Sequence, residues 1–165
     1  FNNINGGSFS VSASKKEGRH SQYIELQRLI EEERSFNIHS GEAFKLFNNR
    51  VSKEKDKLLD FLQEQKREGR KVCGLGAATK GNVLLQYYGI DSTLIENIAE
   101  VNPDKYGCYT PGSLIPIESQ DYILKSNPDY LLVLPWHFRD FVLNMDELKG
   151  RKLIFPLPKF EIVNV

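Results

Sequence analysis

The sequence predicts an α/β protein with a doubly wound parallel sheet, a three-layer α/β/α arrangement preceded by two helices. Short apolar runs alternate with helical patterns from residue 70 to the end of the chain. The run at 70–75 breaks at glycines and restarts as a helix, and the run at 129–135 is the most hydrophobic stretch in the sequence. Continuous apolar runs of this kind are typical of parallel strands that are covered on both faces.

The predicted elements follow one another in a regular order. Strands are expected at 70–75, 95–101, 129–135 and 152–155, with an edge strand at 161–165, a short extended piece at 114–117, and helices at 79–88, 119–126 and 137–148. Right-handed crossovers would bring the loops after Gly74, Glu100 and Pro135 together at the carboxyl edge of the sheet.

Two amphipathic helices are predicted ahead of the sheet, at about 21–36 and 42–68. The second helix has an apolar stripe that consists of Phe44, Phe47, Val51, Leu58 and Leu62. Narrow stripes of this kind indicate a connector that braces two domains, or helices that pack only on the domain that follows them.

Residues 8–14 alternate between polar and apolar side chains, with Phe9, Val11 and Ala13 on one face, which predicts a half-buried strand. Because no neighbouring segment offers a hairpin partner, we interpret this strand as the end of a sheet in an upstream domain, or as an unpaired tail. The chain begins at Phe1 and its only methionine is Met145, so we expect a fragment or a processed product.

The composition excludes several classes of function. The 165 residues contain 22 basic and 22 acidic side chains, so no net charge would recruit nucleic acid or an anionic membrane. No apolar run has the length of a membrane span. Cys73 and Cys108 lie far apart, and the three histidines show no metal-ligand spacing. We therefore expect a cytoplasmic protein that binds no nucleic acid, membrane or metal.

The glycine-rich turn at 74–82 is the strongest candidate for a ligand site. A strand that ends at Gly74 and Gly76 and restarts as a helix presents free backbone N–H groups and the positive end of a helix dipole to an anion. Lys80 adds a positive charge in the first turn. The dinucleotide fingerprint is incomplete, since Thr79 stands at its third glycine, and an ordinary tight turn is the alternative interpretation.

Three further residues are expected at the same edge of the sheet. Glu100 ends a strand and would accept hydrogen bonds from sugar hydroxyls, or be a surface acid. Lys105 would reach a phosphate from the opposite side, or be a solvated loop lysine. Trp136 would stack on a base or a sugar ring, or cover the edge of the sheet.

The sequence contains no recognisable catalytic motif that combines a nucleophile, a base and an acid. The candidate residues instead indicate a domain that binds a phosphorylated ligand. One alternative is a stand-alone nucleotide- or cofactor-binding module without catalysis. Another is an oxidoreductase that uses a nicotinamide cofactor, against which the incomplete fingerprint and the missing acid–base set both weigh.

The stretch Gly74-Leu75-Gly76-Ala77-Ala78-Thr79-Lys80-Gly81-Asn82 resembles the Gly-Ala-Ala-x-Lys-Gly-Asn signature of a known family. That signature belongs to the C-terminal domain of three-domain, S-adenosylmethionine-dependent C-methyltransferases, which act on nucleotide-linked deoxysugars. The likeness extends over about 23–165 and includes the motifs at 100–107, 109–117, 128–130, 134–136 and 155–158.

The resemblance implies a division of the chain into three parts. Residues 1–14 would be the tail end of an upstream methyltransferase domain, 15–69 a helical connector and 70–165 a Rossmann-like C-terminal domain. S-adenosylmethionine would be bound by the missing upstream domain and not by this fragment, which would hold no catalytic residue and would be inactive alone. The partners would be a nucleotide-linked sugar and the upstream domain.

The resemblance also implies a set of substrate-binding residues. Ala77, Ala78, Lys80 and Asn82 would face the diphosphate, and Asn102, Lys105 and Tyr109 would line the same cleft. Gly76, Glu100 and Trp136, expected at this edge from the sequence pattern, complete the predicted set of substrate-binding residues. The chain departs from the family pattern at three positions. Asn5 replaces a histidine suited to act as a general base, Glu100 replaces an aspartate, and His137 replaces an asparagine.

Overall fold

The computed structural model describes Asn2, residues 7–15 and residues 23–165. The chain divides into two compact units, Phe1–Lys53 and Glu54–Val165. The assignment of 1–14, 15–69 and 70–165 to an upstream tail, a connector and a C-terminal domain stays a prediction.

Two α-helices, joined by the short 3₁₀ helix Ile38–Ser40, lie in the described N-terminal part. Helix α1 spans Tyr23–Ser35, and α2 begins at Glu42 and continues to Arg67 in the second unit. Both helices lie where they were predicted, although the first positions of the predicted α1 fall outside the described residues. The charged side of α1 is paired within the helix, because the Arg28 guanidinium contacts Glu25 at 2.6 Å and Glu32 at 3.2 Å.

The strand predicted at 8–14 is not formed. Ser8 makes an isolated antiparallel bridge with Asn2, with two backbone hydrogen bonds of 2.9 Å, and residues 9–15 have no strand conformation. Residues 8–14 therefore agree with the alternative of an unpaired tail, because alternation of side chains does not supply hydrogen-bond partners and a strand needs a neighbour to satisfy its backbone. The interpretation of these residues as the end of a sheet in an upstream domain stays a prediction.

The second unit contains a six-stranded sheet in the order β3-β2-β1-β4-β5-β6. The strands are β1 (Val72–Leu75), β2 (Ile98–Glu100), β3 (Ile117–Ser119), β4 (Tyr130–Val133), β5 (Lys152–Phe155) and β6 (Glu161–Asn164). All neighbouring strands are parallel except β5 and β6, which are antiparallel. The predicted Rossmann-like α/β fold is confirmed.

The sheet changes its winding direction between β1 and β4. The chain moves from β1 outward to β2 and β3, then returns to β4 on the other side of β1 and continues to β5. Strands β1 and β4 pair along their whole length, from Val72 opposite Tyr130 to Leu75 opposite Val133. A crevice forms at such a switch point beyond the carboxyl ends of the strands, where ligands of this fold class bind.

Helices cover both faces of the sheet. Helices α4 (Gln120–Lys125) and α5 (Arg139–Leu143) lie on one face, where Ile123 and Val142 join a buried cluster with Cys73, Leu131 and Phe155. Helix α3 (Thr79–Tyr88) and the end of α2 supply further fully buried side chains, namely Leu58, Leu62 and Leu85. The Phe61 ring of α2 meets the Tyr130 ring edge-on, with centroids 5.1 Å apart, which places α2 on the opposite face to the cluster.

Two predicted elements differ from the structure. The extended piece expected at 114–117 is the edge strand Ile117–Ser119, and it pairs with β2. The helix expected at 137–148 is broken into the 3₁₀ turn Trp136–Phe138, α5, and the 3₁₀ turn Asp146–Leu148. The break follows from Met145, whose backbone is extended (φ −76°, ψ 118°) and therefore ends the helical run.

No helix in the described ranges is long and apolar enough to cross a membrane.

Helix α3 approaches the sheet very closely at Gly81. A Cβ atom at this position would lie 2.6 Å from the Cβ of Leu134, the residue that follows β4. Because that neighbour is attached directly to the backbone, it cannot turn away as the end of a flexible side chain would. Gly81 therefore permits close contact between helix α3 and the end of β4.

We predict that Gly81→Ala destabilises the protein by roughly 1–3 kcal/mol, because the added methyl group overpacks the contact with Leu134. Val83→Ala is the matched control, since Val83 is exposed on the same helix and should change stability by less than about 0.5 kcal/mol. Urea denaturation measures both free energies of unfolding. Equal stability of the two variants would contradict the close packing at Gly81.

Candidate functional site

The candidate site lies at the carboxyl edge of the sheet, around the switch between β1 and β4. The turn from β1 to α3 contributes five predicted residues: Gly76, Ala77, Ala78, Lys80 and Asn82. Glu100 ends β2, and Asn102 and Lys105 lie in the following loop. The structure brings Glu100 and Lys105 into direct contact with Ala77, so these two loops meet.

Gly76 shapes the turn. Its φ angle is +81°, a left-handed conformation that favours glycine, and a Cβ would lie 3.0 Å from the ring of Pro135. The Gly76 N–H donates to the Ala99 carbonyl at 2.7 Å, and its carbonyl accepts from the Ala78 N–H at 2.9 Å. Gly76 is thus required by the backbone geometry and by its contact with the loop after β4.

Helix α3 begins without a side-chain cap. Ala78 occupies the N-cap position and has no side-chain acceptor, and the first backbone bond of the helix runs from the Asn82 N–H to the Ala78 carbonyl at 3.0 Å. The N–H groups of Thr79 and Gly81 precede that bond and therefore have no acceptor within the helix. Together with the helix dipole they favour a negatively charged group.

The Glu100 carboxylate links the two loops. Its Oε2 accepts hydrogen bonds from the Ala77 N–H at 2.9 Å and the Lys105 ammonium at 3.1 Å. Its Oε1 accepts from the N–H groups of Val101 at 2.9 Å and Asn102 at 3.0 Å. Four donors therefore surround a buried carboxylate.

These contacts set the charge of Glu100. Burial raises the pKa of its carboxyl group, but the hydrogen bonds from Asn102, Lys105, Ala77 and Val101 outweigh burial and hold the pKa below its usual range. Glu100 is therefore ionised at neutral pH and attracts the Lys105 ammonium, which also donates to the Ala77 carbonyl at 3.0 Å. The expected contacts of Glu100 with sugar hydroxyls and of Lys105 with phosphate stay predictions.

Asn102 positions the loop that carries Lys105. Its side-chain oxygen accepts from the Asp104 N–H at 3.0 Å and so caps the short 3₁₀ helix Pro103–Lys105. The Asn102 side chain therefore has a local structural role, and its predicted place in a ligand cleft stays a prediction.

Tyr109 is exposed and stands on a compact turn. It forms an isolated antiparallel bridge with Pro116. Inside the turn, the buried Thr110 hydroxyl accepts from the Ile115 N–H at 2.9 Å and shares a hydrogen bond of 2.7 Å with the Ser113 hydroxyl. We did not single out Thr110 and Ser113 from the sequence, although their positions on either side of Pro-Gly are a turn signal.

Trp136 lies at the end of β4 but packs inward. It is partly buried against the apolar cluster of β1, β4 and β5, and its ring meets that of His137 edge-on with centroids 6.0 Å apart. This placement agrees with the alternative in which Trp136 covers the edge of the sheet. Stacking of Trp136 on a base or sugar stays a prediction.

Two buried polar atoms near the switch point accept no hydrogen bond: Asn82 Oδ1 and His137 Nδ1. Burial and the positive charge of Lys80 both lower the pKa of His137, so its ring is neutral at neutral pH. Gly76 and Gly81 lie against Pro135 and Leu134, so the first turn of α3 faces the loop after β4. In the sequence His137 is notable only because it follows Pro135 and Trp136, and it is not among the predicted binding residues.

In the part of the chain that the structure describes, histidine, cysteine, aspartate and glutamate side chains form no group of three or more that could hold a metal ion. Burial raises the pKa of the Cys73 thiol to about 11, so it is protonated at neutral pH. Asn5 lies outside the described residues.

We predict that Glu100→Gln destabilises the protein by roughly 1–3 kcal/mol at neutral pH, because the amide replaces an acceptor that several donors share. The pKa of Glu100 is lowered on folding, so its stabilising contribution is present at neutral pH and is lost as the pH falls through that lowered pKa. The difference between wild type and variant should therefore shrink in acid.

Denaturant unfolding at neutral pH and at about pH 3 tests this expectation, since the two pH values bracket the titration of a carboxyl group. Glu64→Gln is the control, because Glu64 is an exposed glutamate on α2. A stability difference for Glu100→Gln that is the same at both pH values would mean that the charge of Glu100 does not stabilise the fold.

The family model described as "C-methyltransferase C-terminal domain" matches residues 3–158. The C-methyltransferase NovU of Streptomyces niveus is 27% identical over 164 residues, which cover 98% of this chain and 39% of that relative. The chain thus spans about two fifths of the length of the curated relative it matches. The chain belongs to the C-methyltransferase C-terminal domain family.

Proposed function

We propose that this chain is the nucleotide-sugar-binding portion of an S-adenosylmethionine-dependent C-methyltransferase, and that the domain binding S-adenosylmethionine lies upstream in the same polypeptide. The family of the chain supports the methyltransferase class. Cys73 and Cys108 are both free thiols, as is usual for proteins of the reducing cytoplasm. We therefore propose a cytoplasmic location.

The observation that carries the proposal is the uncapped start of α3 at the switch between β1 and β4. A helix start of this kind binds a phosphate through backbone N–H groups, here those of Thr79 and Gly81. Lys80, in the same turn, adds a charge-assisted contact. A diphosphate, which carries negative charge on both phosphates, is the part of a nucleotide-linked sugar that this turn would hold.

Neighbouring side chains would add contacts to the same ligand. Asn82 Oδ1 is a buried acceptor without a donor, so a hydroxyl group of the ligand would satisfy it. Lys105 is partly exposed beside the turn and would add a second positive charge on the far side of the diphosphate. These residues bind and orient a sugar nucleotide.

Glu100 weighs against S-adenosylmethionine binding at the glycine turn of this chain. A nucleoside cofactor in such a fold needs an acid at the end of β2 for its ribose. Here both oxygens of Glu100 already accept hydrogen bonds within the protein. The same contacts weigh against a nicotinamide cofactor and hence against an oxidoreductase.

The S-adenosylmethionine bound by the upstream domain would supply the methyl group, and the residues of this chain would hold the acceptor in place. The alternative is a stand-alone module that binds a nucleotide without catalysis. The uncapped turn alone is compatible with both proposals, and the sequence encoded ahead of residue 1 distinguishes them.

We predict that Lys80→Ala weakens the binding of a nucleoside diphosphate sugar by about ten- to a hundredfold, because a charge-assisted phosphate contact contributes roughly 1.5–3 kcal/mol. Lys80 is exposed at the helix start, so its removal should leave the melting temperature within a few degrees of the parent. Isothermal titration calorimetry at two salt concentrations measures the affinity, and the loss should shrink in high salt.

Lys125→Ala is the control for Lys80→Ala, because Lys125 is an exposed lysine at the end of α4. It should leave the affinity unchanged. If Lys80→Ala also leaves both affinity and melting unchanged, Lys80 does not contact the ligand and the glycines only form a tight turn.

We also predict that residues 1–165 alone neither bind S-adenosylmethionine nor transfer a methyl group, because both oxygens of Glu100 are already engaged within the protein. Calorimetric titration with S-adenosylmethionine and a radiolabelled methyl-transfer assay check these two points. Methyl transfer by residues 1–165 alone would overturn the assignment of catalysis to an upstream domain.

A further inference from the structure

Helix α2 carries one apolar stripe whose two ends have different surroundings. Phe44, Phe47, Val51, Leu58 and Leu62 recur at helical spacing and therefore lie along one side of the helix. Leu58 and Leu62, in the second unit, are 0% exposed. Phe44 and Phe47, in the first unit, are 62% and 59% exposed. We call Phe44, Phe47 and Val51 the phenylalanine face.

Scattered apolar side chains on a protein surface are ordinary, but two phenylalanines one turn apart form a patch. Leu46 shows the difference, because it is 52% exposed on the same turn of α2 but lies on another side of the helix. The Arg50 guanidinium lies 5.9 Å from the centre of the Phe47 ring and still leaves that ring mostly exposed. The first unit exposes further large apolar side chains, including Leu26 and Phe36.

We infer that a domain encoded ahead of this chain in the same polypeptide covers the phenylalanine face with an apolar surface of its own. The family model is that of a C-terminal domain, and the aligned part of NovU is 39% of that relative, so more than half of it lies outside the alignment. The face lies in the first unit of this chain, the unit that follows such a domain in sequence.

The chemistry of the face defines the surface that would fit it. Aromatic rings without a hydroxyl group offer no hydrogen bonds, so burial of apolar area is what would stabilise the contact. Arg50, over the Phe47 ring, would lie at the rim and suits an acidic or carbonyl group beside the apolar centre. This inference uses the upstream domain of the proposed function but needs neither a substrate nor catalysis.

Hydroxyl-radical footprinting tests this inference without any ligand. The oxidation rates of Phe44 and Phe47 are compared between residues 1–165 alone and the complete natural polypeptide. We expect oxidation of both phenylalanines to fall several-fold in the complete polypeptide, because side chains reactive in the isolated chain become buried. Leu46 is the internal control and should react similarly in both proteins.

Three outcomes would overturn the inference. The first is equal oxidation of Phe44 and Phe47 in both proteins. The second is a natural polypeptide with no domain ahead of this chain. The third is protection that already exists in residues 1–165 and rises with protein concentration, with a dimer in analytical ultracentrifugation, since a second copy would then cover the face. The first and third results leave the proposed function untouched, whereas the second would also overturn its upstream S-adenosylmethionine domain. Sugar-nucleotide binding itself is tested separately by the Lys80 variant.

A double variant gives a second, independent measurement. Phe44→Ser with Phe47→Ser should lower the melting temperature of the complete polypeptide by several degrees and leave that of residues 1–165 nearly unchanged. The two serines remove apolar area that is buried only in the complete polypeptide. Leu46→Ser should change neither protein. An equal shift for the double variant in both proteins would contradict the inference.

Discussion

The buried Glu100 carboxylate is the interaction on which the candidate site depends. It accepts from the Ala77 N–H on one loop, from Val101 and Asn102 on its own loop, and from the Lys105 ammonium. A buried ionised group is stable only when donors surround it, so these groups are held in one relative position. Ala77 directly precedes the N-cap of α3, and the start of the helix is therefore fixed to the end of β2. A rigid start of this kind binds an anion without first having to become ordered.

The glycines of the 74–82 motif have a packing role beside this network. Gly76 adopts a left-handed backbone against Pro135, and Gly81 lets α3 approach Leu134. Both contacts join the segment formed by the β1–α3 turn and the start of α3 to the loop after β4, which lies across the switch point. The motif thus separates into glycines that hold the crevice together and residues, Lys80 and Asn82, whose side chains are suited to a ligand.

Local patterns predicted the fold well where a glycine or a cap ends an element. Helix α3 has the predicted bounds, and α4 begins at Gln120 after Ser119, whose side chain accepts from the Tyr122 N–H. Sequence patterns did not predict features that depend on contacts between residues distant in sequence. The hydrogen bonds around Glu100 and the inward packing of Trp136 are tertiary contacts, which leave no periodic signal. The helix predicted at 137–148 is broken at Met145 for the same reason, since the buried Leu148 joins the core beyond the break.

The central claim is that the start of α3 binds the diphosphate of a nucleotide-linked sugar. Backbone amide shifts in ¹⁵N-labelled protein, followed while a nucleoside diphosphate sugar is added, test that claim most directly, because each N–H group reports its own contact. The account predicts that the largest shift changes occur at Thr79, Lys80 and Gly81, with smaller changes at Asn102 and Lys105. Saturable changes that leave the amides of 79–81 unaffected, or no saturable change up to about 1 mM ligand, would contradict it.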